Sequence, residues 1–253
     1  MSNAGKVLIT GASGGFGREF ACQLEKRGFD LILHGRDRAR MRLILDMLQQ
    51  PNRHTCVYGD LTSADDMEAL IDNIKRQHEL KGLVNNAGFG VWGRFEYREI
   101  PPQLDMLQTN LTAPVQLTHS LLPILIRHQG FIINVSSLAG ETPLPHMSIY
   151  AASKAGLTWW SEALRIELAD KVRVVTLAPG PSPTGFRDVS GMPHGTGSVF
   201  RTGSALIVSQ ALKRLDHGGG YCVPGIRHKL LFLMQKIIPR RIALPLVERQ
   251  LRH

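Results

Sequence analysis

The sequence is poor in cysteine and in long apolar runs. Cysteine occurs three times in 253 residues, at Cys22, Cys56 and Cys222, and no two of these form a C-x-x-C pair. This number and spacing exclude a disulfide framework and favour free thiols in a reducing compartment, so we expect a cytoplasmic protein. No apolar run reaches the ~18 residues of a membrane-spanning helix, and no hydrophobic stretch near the N-terminus predicts a signal peptide.

The charge of the chain is concentrated near its end. Hydrophobic residues make up 43% of the chain and charged residues 20%, a balance that predicts a globular protein with a sizeable core. Lysine and arginine together number 30, against 21 acidic residues. From Gly225 to His253 there are seven basic residues and one acid, so this segment carries two thirds of the net charge of +9. The remainder is too weakly basic to predict a nucleic-acid-binding protein.

Short apolar runs alternate with amphipathic stretches along most of the chain. The runs predict strands over residues 6–10, 30–34, 55–58, 80–84, 131–135, 172–177 and 221–223. The stretches between them predict helices, including a long one over 104–127 that we expect to kink or stop near Pro114 or Pro123. This alternation predicts a doubly wound parallel α/β sheet of the Rossmann type, with about seven strands. We expect one domain over residues 1–225, a loop over 180–200, and a basic amphipathic extension over 226–253.

A glycine-rich stretch separates the first strand from the first helix. Residues 10–17 read TGASGGFG, with glycines at Gly11, Gly15 and Gly17. Such glycines permit a tight turn and a close approach to a pyrophosphate, which the N-terminus of the following helix then binds. The spacing differs from the G-x-G-x-x-G fingerprint, so a glycine turn without a ligand is the alternative. Its place between a strand and a helix favours a dinucleotide site.

The residues at the end of the second strand indicate which dinucleotide the protein binds. In nucleotide-binding sheets an acidic residue at this place binds the ribose 2′-hydroxyl of NAD. Here Gly35 and Arg36 occupy it. A guanidinium suits a 2′-phosphate through charge-assisted hydrogen bonds, so the sequence predicts NADP(H). The nearby Arg38, Arg40 and Arg42 either raise the local positive potential or are solvated helix surface.

Tyr150 and Lys154 are four residues apart and lie on one face of a predicted helix. A neighbouring ammonium stabilises a phenolate, so the pair predicts a tyrosine with a pKa below its usual value of about 10. Most such pairs are ordinary helix surface. Ser137 makes this pair more significant, because it follows the fifth strand, and the carboxyl ends of strands are where doubly wound sheets bind ligands.

In this order the motifs resemble those of the short-chain dehydrogenase/reductase family over almost the whole body. Residues 10–17 are similar to its glycine motif, residues 85–88 to its N-N-A-G motif, and Pro179-Gly180 with Thr184 to its nicotinamide segment. The resemblance implies four catalytic residues: Asn110, Ser137, Tyr150 and Lys154. Ser136 is the alternative serine, but Ser137 is thirteen residues before Tyr150, and this spacing favours Ser137. The cofactor site that it implies comprises Gly11, Ser13, Gly15, Phe16, Gly17, Arg36, Asp60, Leu61, Asn86, Ala87, Gly88, Tyr150, Lys154, Pro179, Gly180 and Thr184.

The resemblance also implies a reaction. NADPH would deliver a hydride to a carbonyl carbon reversibly, while Tyr150 donates a proton to the oxygen and Ser137 hydrogen-bonds it. Lys154 would lower the pKa of Tyr150 and hold the nicotinamide ribose, and Asn110 would support a proton-relaying water chain. A homo-oligomer is implied, and no metal site is expected. The alternative is a non-catalytic NADP-binding sensor or scaffold, although such a protein would not require all four catalytic residues.

Substrate and partners are less constrained by the sequence. Apolar residues in three loops are available to line a pocket, which favours an apolar ketone or a 3-oxoacyl group: Phe89, Val91, Trp92, Leu138, Leu144, Met147, Phe186 and Met192. In the extension, apolar residues alternate with bases, and Pro239 and Pro245 are expected to break it into pieces. It could close over the sheet, the pocket or a subunit contact. It could also bind an anionic membrane surface or an acidic partner such as an acyl carrier protein.

Overall fold

A computed structural model describes residues 5–192 and 201–251, and its centre is a seven-stranded parallel sheet. The strand order is β3-β2-β1-β4-β5-β6-β7, so the order reverses between β1 and β4, as in a doubly wound sheet. This confirms the predicted Rossmann-type fold. The strands are β1 Lys6–Thr10, β2 Asp30–Gly35, β3 Thr55–Tyr58, β4 Leu80–Asn85, β5 Phe131–Val135, β6 Arg173–Leu177 and β7 Gly220–Cys222.

Helices cover both faces of the sheet. Val7 and Ile9 of β1 contribute to the core under the first face, and Leu8 contributes to the core under the second, as the two-residue period of a strand requires. Helices α1, α2 and α8 supply residues to the first core, and α3 and α5 to the second. The helices are α1 Gly15–Lys26, α2 Arg38–Met47, α3 Ala64–Gln77, α4 Ile100–Leu107, α5 Ala113–Arg127, α6 Ser148–Glu167, α7 Phe186–Ser190, α8 Ser204–Asp216, α9 Ile226–Ile237 and α10 Arg240–Leu251.

The long helix predicted over 104–127 is irregular, but neither proline stops it. It begins as α4, passes through a π-helical turn over Gln108–Thr112, and continues as α5. Pro114 lies in the first turn of α5, and Pro123 lies inside that helix. The irregularity therefore lies directly before Pro114, near the place where a kink was expected, and the helix does not stop at either proline. π-Helical turns of this kind occur frequently at functional sites.

The segments after β6 are also more ordered than the sequence predicts. The expected loop over 180–200 contains the short helix α7, and its residues 193–200 lie outside the described part of the chain. The extension forms α9 and α10, which Pro239 separates, whereas Pro245 lies within α10 instead of breaking it. Arg241 and Ile242 of the preceding turn are exposed, so water can bond the Arg241 carbonyl that Pro245 leaves without a donor. No helix in the described ranges is long and apolar enough to cross a membrane.

Candidate active site

The glycine turn after β1 forms one wall of a cleft at the carboxyl end of the sheet. Gly11 has a φ of +61°, which favours glycine, and a Cβ on Gly17 would overlap the carbonyl oxygen of Gly11. The Nδ2 of Asn86 donates hydrogen bonds to the carbonyl oxygens of Thr10 (2.9 Å) and Gly11 (3.0 Å) and so holds the turn. Helix α1 begins with Gly14 as its N-cap residue, which carries no side chain to bond the first-turn N–H groups. These donors fit a pyrophosphate.

Thr10 ties the glycine turn to the loop after β4, and the sequence did not mark it as a site residue. Its hydroxyl donates to the carbonyl oxygen of Val84 (3.3 Å) and accepts from the backbone N–H groups of Asn86 and Ala87 (3.0 Å each). A hydroxyl that both donates and accepts is needed to join these three groups. The sequence feature that could have identified Thr10 is its position as the last residue of the first strand, directly before the glycine turn.

The segment after β6 forms the opposite wall of the cleft. A Cβ on Gly15 would lie 2.9 Å from both Cα and Cβ of Thr184, so the two walls touch at this point. The carbonyl oxygen of Pro179 accepts a hydrogen bond from the backbone N–H of Leu138 (2.9 Å). The structure therefore brings together the glycine turn, the loop after β5 and the Pro179–Thr184 segment.

Arg36 and Asp60, 24 residues apart in the sequence, form an ion pair at the ends of β2 and β3. The Nη1 of Arg36 lies 3.0 Å from Oδ2 of Asp60, and the Arg36 side chain is 69% exposed. Burial raises the pKa of Asp60, but hydrogen bonds from Thr62 and Arg36 outweigh it and lower the pKa overall. Of the neighbouring bases, Arg38 stacks on the Tyr58 ring at 4.6 Å. The guanidinium of Arg36 is thus held at the strand end where an adenosine ribose binds in this class of sheet.

Tyr150, Lys154 and Ser137 meet where β5 ends and α6 begins. Tyr150 and Lys154 are buried on α6, and the Ser137 side chain is near enough to the Tyr150 hydroxyl to affect its pKa. The Nζ of Lys154 donates to the carbonyl oxygen of Val135 (2.9 Å). Ser136 faces away from this group: its hydroxyl bonds the carbonyl oxygen of Lys154 (2.9 Å) and the hydroxyl of a threonine in α6. The geometry therefore favours Ser137 over Ser136 as the serine that faces a substrate.

Burial dominates the titration of both side chains. It raises the pKa of Tyr150 to about 12, and the hydrogen bond with Ser137 opposes this shift without reversing it. Burial lowers the pKa of Lys154 to about 8. The predicted direction for Tyr150 is therefore wrong for this structure, because the sequence argument considered the ammonium and not the desolvation of the phenolate. At neutral pH Tyr150 keeps its proton, which is the state that a proton donor requires.

Asn110 lies in the π-helical turn and is fully buried. Its Oδ1 accepts from the backbone N–H of Phe89 (3.1 Å), and its Nδ2 donates to the carbonyl oxygen of Phe89 (2.9 Å) and to the hydroxyl of Ser153 (3.1 Å). A Cβ on Gly88 would lie 2.9 Å from Oδ1 of Asn110 and 3.3 Å from Nζ of Lys154. Asn110 and Lys154 therefore flank the same glycine, which places the four predicted catalytic residues in one cluster.

A buried polar ladder that the sequence analysis missed fixes α6 against the sheet. Asn85 of β4 donates to Asn134 of β5 (2.8 Å), and Asn134 donates to the hydroxyl of Ser161 in α6 (2.9 Å). The Ser161 hydroxyl in turn donates to Oγ1 of Thr176 in β6 (2.7 Å), whose own proton is donated to the Glu162 carboxylate (2.6 Å). Hydrogen-bonded polar networks rigidify a core, although Oδ1 of Asn85 has no partner among the described residues. The ladder holds the helix that carries Tyr150 in register with the strand ends.

Apolar side chains pack with the ring of Tyr150 in one cluster. The Phe186 ring lies 5.1 Å from the Tyr150 ring, and all of the predicted lining residues except Leu138 belong to one apolar cluster with Tyr150. The sequence did not single out three further members of this cluster: Met106, Ala139 and Ile149. An apolar pocket with a few polar groups at its end is typical of a small-molecule site.

The extension packs over this pocket. The Nε2 of Gln235 donates to the carbonyl oxygen of Leu138 (3.3 Å), and Nε1 of Trp92 donates to that of Leu251 (3.1 Å). Lys236 forms an ion pair with Glu141 (2.8 Å) beside the same loop. Helices α9 and α10 therefore contact two of the loops that carry the apolar cluster, as the alternative of a helix closing over the pocket requires.

Comparison with known proteins identifies the family. Residues 5–191 match the family model of the short chain dehydrogenases. The chain belongs to this family. It is 38% identical over 182 residues to 11-beta-hydroxysteroid dehydrogenase-like 4A of Arabidopsis thaliana, covering 70% of this chain and 61% of that one. It is 35% identical over 214 residues to sulfoacetaldehyde reductase 2 of Chromohalobacter salexigens, covering 82% and 80%.

A solved structure supports the same membership. A short-chain dehydrogenase from Sphingobium yanoikuyae in complex with NADPH superposes with a TM-score of 0.82 at 26% identity, covering 92% of this chain and 94% of that one. This chain thus belongs to the short chain dehydrogenase family and shares its fold with a protein whose structure was solved in complex with NADPH. This chain spans about three fifths of the length of the Arabidopsis thaliana relative.

Proposed function

We propose that this protein is an NADP(H)-dependent carbonyl reductase that also runs reversibly as a secondary-alcohol dehydrogenase. The observation that carries the proposal is the buried, protonated Tyr150 beside Ser137, at the end of an apolar cluster and next to a glycine turn that fits a pyrophosphate. Its catalytic domain would comprise residues 1–225, with residues 226–253 as an extension.

The chain offers a group for each part of the cofactor. The first-turn N–H groups of α1 would hold the pyrophosphate, and Arg36 the 2′-phosphate. The loop from Asn86 to Gly88 and the Pro179–Thr184 segment would hold the nicotinamide half, by their place at the switch point of the sheet. When bound, NADPH supplies the hydride. The preference for NADPH rests on Arg36 and on the absence of an acidic residue at positions 35 and 36 of the sequence.

The protein's own residues would carry the proton. Tyr150 donates its phenolic proton to the developing alkoxide of the substrate, and Ser137 hydrogen-bonds the same oxygen. The ammonium of Lys154 stabilises the phenolate that remains, and proton transfer through the region that Asn110 and Lys154 flank would restore the phenol. The buried cluster excludes bulk water, which strengthens each of these interactions.

The apolar cluster supports an apolar ketone or a 3-oxoacyl group as the substrate. The names of the relatives point to different carbonyl compounds, a steroid in one and sulfoacetaldehyde in the other, so the pocket of this chain carries the proposal. The test is the initial rate of NADPH and NADH oxidation with a 3-oxoacyl thioester, a diketone, an aromatic ketone, a steroid ketone and a 3-oxo acid. Turnover that prefers NADPH supports the proposal. Binding of the nucleotide without turnover of any of these compounds would favour the alternative of a non-catalytic NADP-binding sensor or scaffold.

Two exposed surfaces support proposals about partners. On α6, Trp159 is 77% exposed and Ile166 is 64% exposed, and such apolar residues on one helix face favour association with a second copy of the chain. On α9, four apolar residues spaced as one helical stripe face solvent: Ile226, Leu230, Leu233 and Ile237. We propose that this stripe binds an anionic membrane surface, as a peripheral protein in the cytoplasm would.

The charges around the stripe favour a membrane over a second copy. The exposed bases of α9 include Arg227 and Lys229, and α10 adds Arg240 and Arg241. A symmetric contact between two copies would bring these bases together and repel. Anionic headgroups would attract them, and an amphipathic helix with bases beside an apolar stripe is typical of interfacial binding. An acidic carrier protein would also be attracted to these bases, but unlike a membrane it would bind the protein in the absence of lipid.

A further inference from the structure

One side chain of the extension is buried completely. His228 lies in the first turn of α9 and is 0% exposed, while its neighbours Arg227 and Lys229 are exposed. Burial of a polar side chain is unfavourable unless its polar atoms are hydrogen-bonded. The contacts of His228 therefore decide what the residue does.

Both ring nitrogens of His228 bond the Pro179–Pro181 segment of the cofactor cleft. Its Nδ1 lies 3.1 Å from the backbone nitrogen of Gly180, and its Nε2 lies 3.1 Å from the carbonyl oxygen of Pro181. A backbone N–H can only donate and a carbonyl oxygen can only accept, so Nδ1 is the acceptor and Nε2 carries the proton. The partners thus specify a neutral imidazole in a single tautomer.

The composition of the segment explains why one imidazole is enough to fix it. Pro179 and Pro181 have no backbone N–H, so Gly180 carries the only backbone donor of the three residues, and His228 accepts its hydrogen bond. A Cβ on Gly180 would lie 2.7 Å from Cδ2 of His228, so the ring packs directly on the segment. The position of the segment is set from α9 as well as from β6.

The same segment connects the catalytic serine to the cofactor cleft. The carbonyl oxygen of Pro179 accepts from the backbone N–H of Leu138 (2.9 Å) and lies 3.5 Å from the hydroxyl of Ser137. Three residues beyond Pro181, Thr184 contacts the glycine turn. A shift of the segment would therefore change the geometry of both walls of the cleft.

We propose that His228 is a positioning residue that holds the Pro179–Pro181 segment in place for the nicotinamide half of the cofactor. The extension then completes the cofactor site in addition to covering the substrate pocket. This inference rests on the proposed function, because it assumes that the segment binds a nicotinamide dinucleotide. Without the imidazole, the Gly180 N–H loses its buried acceptor, and the Pro181 carbonyl keeps only the backbone N–H of Thr202 (3.2 Å) as a donor. The segment is then expected to move toward water or other partners.

The test compares full-length wild-type protein with three variants. His228→Leu removes both hydrogen bonds, His228→Asn keeps an acceptor near the position of Nδ1, and Lys229→Gln changes an exposed neighbour on the same helix. The dissociation constant for NADPH is measured by the fluorescence of the bound nucleotide, well below the unfolding midpoint of each variant. KM and kcat are measured with the best ketone of the wild type.

We expect His228→Leu to raise the dissociation constant and KM for NADPH about tenfold, and His228→Asn to restore most of that loss. Lys229→Gln is expected to bind NADPH as the wild type does. A purely structural role would lower the unfolding midpoint of His228→Leu and leave the affinity of the folded fraction unchanged. That result would overturn the inference and leave the proposed function intact, whereas a wild type that binds neither NADPH nor NADH would refute the proposed function.

A second measurement needs no variant and applies even if His228→Leu does not fold. In the ¹⁵N spectrum of the wild type, the imidazole of His228 is expected to be the neutral tautomer with its proton on Nε2. The amide of Gly180 is expected to exchange slowly with solvent because it is bonded and buried. The opposite tautomer, or a Gly180 amide that exchanges as fast as an exposed loop, would contradict the proposed contact.

Discussion

Replacing Tyr150 with phenylalanine removes the oxygen that we assign to proton transfer and leaves the ring in place. The Tyr150 residue is 8% exposed, and its ring packs 5.1 Å from that of Phe186, so the apolar contacts of the site remain. The lost hydrogen bond with Ser137 is worth about 1 kcal/mol of the free energy of unfolding. The variant is therefore expected to fold.

The effect on catalysis is expected to be much larger. Because the pKa of Tyr150 is raised to about 12, the phenol is protonated throughout the neutral range and can act as the proton donor there. A positioned general acid contributes about 10²–10⁴-fold to a rate, so we expect kcat for ketone reduction to fall by about 10³-fold. The dissociation constant for NADPH should change by less than about twofold, since the groups that we assign to the pyrophosphate and the 2′-phosphate do not include the deleted hydroxyl.

The assay follows the absorbance of NADPH during turnover and its fluorescence during binding. Tyr97→Phe is the matched control, because it deletes the hydroxyl of a tyrosine that is 76% exposed, and it should keep the wild-type kcat. Turnover by Tyr150→Phe at the wild-type rate would refute proton transfer by this phenol. An equal loss of NADPH binding would show that the hydroxyl serves the cofactor site and not the chemical step.

Four further predictions follow from the site and from the exposed surfaces. Burial lowers the pKa of Lys154 to about 8, so the ammonium is lost and kcat/KM for reduction falls as the pH rises through that value; a pH–rate profile that stays flat beyond it would contradict this. Arg36→Ser should raise KM for NADPH at least about tenfold and leave KM for NADH nearly unchanged, and an unaltered preference in steady-state kinetics would refute the role of the guanidinium. Trp159→Glu should shift the mass measured by sedimentation toward that of one chain. A wild type that sediments as a single chain would refute self-association through α6. The double variant Leu230→Glu with Leu233→Glu should no longer sediment with anionic vesicles while keeping its solution kcat, and a wild type that does not sediment with them would refute membrane binding.

Local patterns were sufficient to locate the strands. The bounds of β1, β3 and β5 agree with the predicted strands. For β1 and β5 the reason is that a parallel strand covered on both faces reads as one continuous apolar run between turn residues. The start of α3 also has a local cause, since Ser63 caps it by accepting from the backbone N–H of Asp66 (3.3 Å). The prediction that Pro245 breaks the extension was wrong, because water can bond the carbonyl that a proline leaves without a donor in a helix that is partly exposed.

The sequence by itself determined the order of the motifs, and with it the membership in the short-chain dehydrogenase family and the cluster of candidate catalytic residues at the strand ends. The thirteen-residue spacing already favoured Ser137 over Ser136. Only the tertiary structure showed that the Ser136 hydroxyl bonds to α6 instead, because neighbouring residues after a strand point to opposite sides. It also reversed the direction of the Tyr150 pKa, since burial depends on residues that are distant in the chain. The contact of His228 with Gly180, 48 residues earlier, depends on how α9 packs against the sheet, and no local pattern encodes that packing.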